Sequence, residues 1–545
     1  MKPFLTLHHP ARANAHYEEG LWVDETFYDL LIRNAARIPD GPALRDGRRA
    51  ITWSELLQWT DNVAADFSAR GLTAGDRVAI WMSNRVEVIV TFLACSRAGL
   101  ACNPSLHRTF TCEEIITLLT RLKVSALVTE LGWGADRDSV DFAAMLDDLP
   151  FLKAIYELEN FPSPEGAENG SHNVPESLGD PDAVNYLAFT SGTTGAPKCV
   201  MHSANTLLAN ARDMVRDWGL GAEARILSLS PLSHHIAWVG VAEWMLMGCQ
   251  FITSDAPEGT SQLDWILETS ATYVLGVPTH AMDVLADQER RNLTRLGEVE
   301  VFYMAGSPIP PVVAEAFVKL GIKPQNVYGM TENSSHQYTH PDDDLEVWIQ
   351  TTGRGGPAYE VVILDPENSD IVLKTGETGE IAGRGAALML GYYDNQEATQ
   401  DSFNRDGWFR SGDLGSLDER GNLKVVGRLK DLIIRGGHNI YPTGIEALAL
   451  RHGGIEKAAA FPVADDRLGE RVCLGIIGAP EADEVLQHLA TEGLSKYDMP
   501  EFFLNMDAFP LTPSGKILKR ELAEMVKRGD LEPKPVRYVP GKETA

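Results

Sequence analysis

Short apolar runs alternate with longer mixed segments along most of this chain, and the two kinds predict different elements. Residues 44–51 read as a strand entering a helix capped by Thr52 or Ser54, since a hydroxyl residue stands just ahead of an apolar-periodic segment. The stretch 71–80, GLTAGDRVAI, predicts a glycine turn and a buried strand, and the apolar segment 86–98 predicts a buried helix. Residues 101–104 and 125–129 are further short strands, and 186–189, YLAF, has the length and aromatic content of another. Beyond it, 202–215 reads as a helix, while 226–229, 273–278 and 301–304 are apolar strands that end in turn residues. This alternation argues for parallel α/β sheets with right-handed crossovers. The polar stretch 157–182, rich in Gly, Pro, Ser and Asn, is a surface connection.

At 545 residues the chain exceeds what one hydrophobic core serves, so two or more domains are expected. A hydrophobic fraction of 44% with 23% charged residues fits a globular enzyme. The formal net charge of −29 argues against sequence-independent nucleic-acid binding, which needs a basic footprint, yet leaves room for locally basic sites that hold small anions. Six cysteines without zinc-like spacing read as reduced thiols. The N-terminal stretch has no secretory pattern. The longest apolar region, 86–101, is interrupted by Arg97 and falls short of the roughly 20 residues a bilayer span needs. These readings predict a cytoplasmic protein without stable membrane insertion.

The strand at 186–189 runs into Thr190-Ser191-Gly192-Thr193-Thr194-Gly195-Ala196-Pro197-Lys198. Two glycines let the backbone turn tightly and approach a ligand. Hydroxyls, exposed N–H groups and the Lys198 charge complete a nest for polyphosphate. It is not a Walker loop, because the spacing differs and no Ser or Thr follows the lysine.

This loop resembles the signature phosphate loop of the adenylate-forming superfamily, which includes acyl-CoA synthetases, peptide-synthetase adenylation domains and luciferases. Other motifs follow in that family's order. Ser230-Pro231-Leu232-Ser233-His234-His235 resembles the Pro-x-x-His motif bordering the acyl pocket, with His234 at the matching position and Ser233 where an aromatic is usual. Ala305-Gly306-Ser307-Pro308 resembles the segment that packs on adenine. Asn326-Val327-Tyr328-Gly329-Met330-Thr331-Glu332 matches the Tyr-Gly-x-Thr-Glu motif. By resemblance Tyr328 faces adenine, Thr331 the phosphate, and Glu332 holds Mg²⁺, a hard cation usually bound by one or two carboxylates plus phosphate. A capped helix start with Thr331 and Glu332 in its first turn is compatible with that role. Segments 379–383 and 389–393 resemble a further motif, taken as mainly structural. In 407–414, Asp413 matches the carboxylate that accepts the ribose hydroxyls, and Arg428 the ribose-contacting arginine. Lys430 matches the hinge, Gly436-Gly437 the loop lining the pantetheine tunnel, and Lys516 the catalytic lysine. Lys519 and Arg520 begin a helix whose basic face is either surface or a CoA-phosphate contact.

The resemblance implies a large N-terminal α/β domain, 1–429, with parallel-rich sheets sandwiched by helices plus a β-barrel-like subdomain. It also implies a small mobile α+β C-terminal domain, 430–545. The implied activity is AMP-forming acyl-CoA ligation with ATP, Mg²⁺, coenzyme A and a carboxylic acid. Loading of a carrier protein and an inactive acyl- or nucleotide-binding regulator are the alternatives, and a luciferase activity is a remote third. The acyl pocket is expected near His234, 236–240, Val277-Pro278, Ala305-Gly306 and 330–335. There Trp238 shortens the tunnel, and the expected acid is medium-chain, cyclic or aromatic. The spacing from Pro510 to Lys516 resembles the site at which bacterial acyl-CoA synthetases are silenced by lysine acylation, so a lysine acetyltransferase is an expected partner. A homodimer is compatible with the sequence.

Overall fold

Four parallel strands set side by side organise the N-terminal part of the chain. In the computed structural model, which describes residues 10–164, 177–190, 197–307, 309–511 and 517–538, they are Lys323–Met330, Val301–Met304, Tyr273–Gly276 and Arg225–Ser228. Gln250–Ile252 and Pro42–Arg45 continue the parallel run, and antiparallel strands Ser334–Tyr338 and Ala50–Thr52 close the two edges, giving eight strands. Their apolar composition matches strands covered on both faces.

A second sheet of seven strands is parallel through Val184–Thr190, Ala101–Asn103, Arg77–Trp81, Ala126–Thr129 and Ala154–Glu157. Lys198–Ser203 and then Gly391–Tyr392 add antiparallel strands beside Val184–Thr190. Helices Trp53–Ala69, Val86–Ala98, Ala204–Trp218 and His235–Met247 share one core with the inward faces of both sheets. Trp53 stacks on Trp244 there, with ring centroids 5.1 Å apart. The apolar segment 86–98 is a buried helix as expected, ended by Gly99 in the left-handed region.

Local chemistry adjusts several expectations. Residues 44–51 form two antiparallel strands rather than one, and Thr52 caps the next helix in a reciprocal pair with Glu55. His202 belongs to a strand, and the expected 202–215 helix begins at Ala204 because Ser203 caps it. No helix starts at 326–332. Met330 pairs with Ser334 across a tight hairpin, Ser334 takes a positive φ of 57°, and a Cβ on Gly329 would collide with the Ser334 carbonyl.

Tyr359–Leu364, Gly379–Gly385, Phe409–Leu417 and Leu423–Arg428 make a four-stranded antiparallel sheet where the barrel-like subdomain was expected. The last sheet begins at Ile433–Arg435 and His438–Ile440 and is centred on the long Gly469–Gly478 strand, with its own apolar core. All six cysteines are buried free thiols, and no described helix is long and apolar enough to cross a membrane.

Candidate active site

The C-terminal ends of the four neighbouring parallel strands present Leu229, Val277, Ala305 and Thr331 along one edge, where open α/β sheets bind ligands. The hairpin between Met330 and Ser334 holds Thr331 and Glu332 at its tip. The Thr331 carbonyl accepts from His202 Nε2 at 2.6 Å, and His202 Nδ1 lies 2.9 Å from Thr206 Oγ1. The Glu332 carbonyl accepts from the Met389 N–H at 2.7 Å, and Tyr392 OH donates to Glu332 Oε1 at 2.9 Å. Tyr392 is brought there by pairing with Val200. The same ring lies under the Lys198 ammonium, 4.5 Å from its centroid. One aromatic side chain therefore touches both the lysine of the phosphate loop and the carboxylate of the hairpin. Burial raises the Glu332 carboxyl, opposed by the Tyr392 hydroxyl and by the charges of Lys198 and Arg428.

Across the small sheet Asp413 and Arg428 are register partners, with Arg428 Nε 3.3 Å from Asp413 Oδ1. Tyr328 OH donates to Asp413 Oδ2 at 3.0 Å, and the Asp413 N–H donates to Ser411 Oγ at 3.0 Å. A buried carboxylate fixed this way is aimed rather than mobile, which suits recognition of a vicinal diol. Asn326 is buried and donates its amide to the Trp348 carbonyl, and Met330 N–H donates to Asn333 Oδ1 at 3.0 Å.

On the acyl side Gly306 has φ +91°, and a Cβ there would meet Ile236 Cδ1 at 3.2 Å and Val277 Cγ1 at 3.5 Å. Three segments expected around the acyl group thus converge. His234 stands just before the helix His235–Met247 and stacks on His107 at 4.5 Å. His107 Nδ1 is 3.0 Å from Ser233 Oγ, and burial lowers its pKa to about 4. Trp238, expected to shorten the tunnel, packs on Phe92 and Tyr186 in the core and donates its indole N–H to the Leu232 carbonyl at 2.7 Å.

Ser307 is half-buried beside Gly306. Gly436-Gly437 is a two-residue hairpin turn with both φ positive, a conformation that favours glycine. Lys430 lies in a single 3₁₀ turn, and its carbonyl accepts from Arg520 at 3.3 Å. Lys519 pairs with Glu446 at 2.8 Å, so its charge is engaged inside the C-terminal part. Ser191, Gly192, Thr193, Thr194, Gly195, Pro308 and Lys516 lie outside the described residues. Sequence reasoning missed the roles of Tyr392 and His202. Their contacts bridge 60 and 129 positions, and no local pattern carries that information.

Among the described residues no group of three or more His, Cys, Asp or Glu is placed to hold a metal ion. The lone Glu332 carboxylate fits Mg²⁺, which takes most of its remaining ligands from phosphate and water.

A family model described as AMP-binding enzyme matches residues 31–393, and one described as AMP-binding enzyme C-terminal domain matches 444–516. A medium-chain fatty-acid–CoA ligase of Escherichia coli (strain K12) is 30% identical over 542 residues, covering 97% of this chain and 95% of that protein. A 2-hydroxy-7-methoxy-5-methyl-1-naphthoate–CoA ligase of Streptomyces carzinostaticus is 30% identical over 541 residues, covering 92% and 93%. The crystal structure of ATP-bound MatB from Rhodopseudomonas palustris superposes with a TM-score of 0.80 at 27% identity, covering 92% of this chain and 99% of that one. Family models over both parts of the chain and ligase relatives of matching length agree: the chain belongs to the AMP-binding enzyme family, as an AMP-forming carboxylic acid–CoA ligase.

Proposed function

We propose that this ligase uses MgATP to adenylate a medium-chain, cyclic or aromatic carboxylic acid in the cytoplasm and then passes the acyl group to coenzyme A. The observation that carries the nucleotide assignment is the pair of fixed carboxylates: Asp413 between Tyr328 and Arg428, and Glu332 on Tyr392. Mg²⁺ held by Glu332 supplies charge neutralisation at the phosphates. The chain's own groups do the positioning. The 190–198 loop cradles the β- and γ-phosphates, with Lys198 held over the Tyr392 ring. Asp413 accepts the ribose hydroxyls, and Thr331, fixed through its carbonyl by His202, faces phosphate.

The substrate carboxylate attacks the α-phosphorus in line, and pyrophosphate leaves. Lys516 stabilises charge on the carboxylate and phosphate oxygens in that step. The second step needs no such cation. Rotation at Lys430, between a domain of residues 1–429 and one of 430–545, withdraws Lys516 and brings the Gly436-Gly437 turn to the site. The thiol sulfur then attacks the acyl carbon and AMP leaves. Acetylation of Lys516 by a lysine acetyltransferase removes its charge and silences the first step. A homodimer is part of the same proposal.

Ile236, Val277 and Gly306 support an apolar acyl entrance, and the two ligase relatives act by name on a medium-chain fatty acid and a naphthoate. The test is AMP formation across a panel of acetate, butyrate, octanoate, palmitate, cyclohexanecarboxylate, benzoate and pimelate, with and without CoA. CoA-dependent turnover concentrated on octanoate or the ring acids is expected. Turnover concentrated on acetate or palmitate sinks the substrate class, and AMP release indifferent to CoA sinks the acceptor.

A further inference from the structure

One face of the helix His235–Met247 lies against the strand Tyr273–Gly276 and its neighbours, and the two elements match rung by rung. Ile236 and Val277 meet around Gly306 at the top. One turn down, Gly240 brings the helix close to the sheet, where a Cβ would meet Leu275 Cδ2 at 3.1 Å and Phe251 Cε2 at 3.2 Å. Below that, the Tyr273 hydroxyl oxygen lies 3.3 Å from Glu243 Oε1. Ile236 and Glu243 are seven positions apart, about 10 Å along a helix. From top to bottom this interface is therefore apolar at Ile236 and Val277, closely packed where Gly240 meets the flexible Leu275 side chain, and polar at Glu243.

That end is chemically incomplete. Glu243 and Gln325 are both 0% exposed. The Tyr273 hydroxyl donates its one proton to Gln325 Oε1 at 2.6 Å, so the carboxyl and the amide gather around one phenol. Glu243 Oε2 and Gln325 Nε2 are then left without a hydrogen-bond partner, one acceptor and one donor. Tyr303 stands nearby but is engaged with Ser335 Oγ at 2.6 Å. Burial raises the Glu243 carboxyl to about 8, so near neutrality its protonated form shares the phenol without a buried charge.

We propose that Glu243, Tyr273 and Gln325 form the floor of the acyl pocket, and that the acid this enzyme selects is a medium-chain one with a hydroxyl at its far end. This rests on the acyl entrance lying at Ile236, Val277 and Gly306, as proposed above. A hydroxyl completes the floor because it accepts from Gln325 Nε2 and donates to Glu243 Oε2 together. A methyl terminus leaves both groups unpaired, and a terminal carboxylate meets the Glu243 carboxyl with no cation beside it among the described residues. An acid reaches this cluster by displacing the Leu275 side chain from Gly240, which a slim methylene chain does more readily than a ring.

Full-length enzyme is assayed for CoA-dependent AMP formation with paired acids, hexanoate and octanoate against their ω-hydroxy forms. Wild type is expected to favour ω-hydroxyoctanoate over octanoate by roughly tenfold or more in kcat/KM, the size of effect that unpaired buried polar groups produce. Glu243→Leu, with folding checked by thermal melting and ATP binding, is expected to reverse that preference. Gln325→Leu, which removes only the donor, is expected to shrink the ratio and serves if the first variant fails to fold. A wild-type preference for octanoate, or a folded variant that keeps the wild-type ratio, overturns the floor and leaves the ligase intact. Turnover confined to acids too short to reach Glu243, such as acetate, overturns both the floor and the proposed substrate class.

Discussion

At the nucleotide end of the cleft each carboxylate has a dedicated partner: Asp413 takes Tyr328 and Arg428, and Glu332 takes Tyr392. At the acyl end the titratable rings are kept neutral by enclosure, with His107 lowered to about 4 and His235 to about 3. In the proposed reading the first end aims fixed charges at a polyanion and a sugar, and the second receives the carbon chain. Charge and shape are thus assigned to separate strands of one site. The strongest break between the ends is expected at Lys516. Lys516→Ala is expected to slow acyl-adenylate formation by about 10²–10³-fold, the cost of one lost donor at developing charge. Thioester formation from supplied acyl-adenylate keeps its rate, and single-turnover measurement of each half-reaction checks the split.

Asp413→Asn is the next largest. It leaves Tyr328 and Arg428 facing a neutral amide and is expected to raise KM for ATP by about 10–100-fold, since hydrogen bonds to charged groups contribute roughly 1.5–3 kcal/mol. The ratio of kcat/KM between two acids should stay as it was. A shift in acid preference would mean that the two ends are mechanically coupled.

The proposed nucleotide end carries the more local signal in the sequence. Loops that hold phosphate and ribose need particular residue types in a particular order, so Thr190 to Lys198, Tyr328 to Glu332 and Asp413 stand out locally. Strand and helix placement was also legible where apolar runs were clean, as at 86–98. What periodicity does not contain is pairing across distance. Tyr392 reaches Glu332 because Gly391–Tyr392 pairs with Lys198–Ser203, and the 330–334 turn is a hairpin because Ser334 accepts a positive φ. The acyl end suffers most from this. Trp238 reads as pocket lining from its place in the motif, yet its ring joins Phe92 and Tyr186 in the core. Glu243, by contrast, left a visible signal as the single acidic residue in the helix HIAWVGVAEWMLM.

Enclosure of the acyl-end rings has a pH signature. His107 has an ordinary value of 6.5 and is lowered to about 4 by burial. Between those values it is neutral when folded and protonated when unfolded, so unfolding takes up a proton. Stability from this ring is complete above pH 6.5 and is lost as pH falls toward 4, at about 1.4 kcal/mol per pH unit. His107→Phe preserves a ring to stack on His234 and removes the titration. The difference in unfolding free energy between variant and wild type should therefore shift in the variant's favour across that window, as denaturant melts at stepped pH would show. A difference that stays flat from pH 6.5 to 4 would mean that His107 is hydrated in solution.

The smallest effect is the most discriminating, because Tyr392 performs two tasks with two parts of one side chain. Its hydroxyl holds Glu332 at 2.9 Å, and its ring face holds Lys198 at 4.5 Å. Tyr392→Phe removes the first contact and keeps the second. The expected loss is about 1 kcal/mol, the usual net value of one hydrogen bond, or roughly fivefold in affinity for MgATP. Tyr392→Leu also removes the ring face, and a cation–π contact contributes a further loss of about 0.5–2 kcal/mol. Calorimetric titration of ATP with and without Mg²⁺ separates the two. If the hydroxyl acts through Glu332, the phenylalanine variant loses affinity only when Mg²⁺ is present, while the leucine variant loses it in both conditions. Equal loss in the phenylalanine variant with and without Mg²⁺ would assign the hydroxyl to holding the hairpin, and the nucleotide end would then depend on packing as the acyl end does.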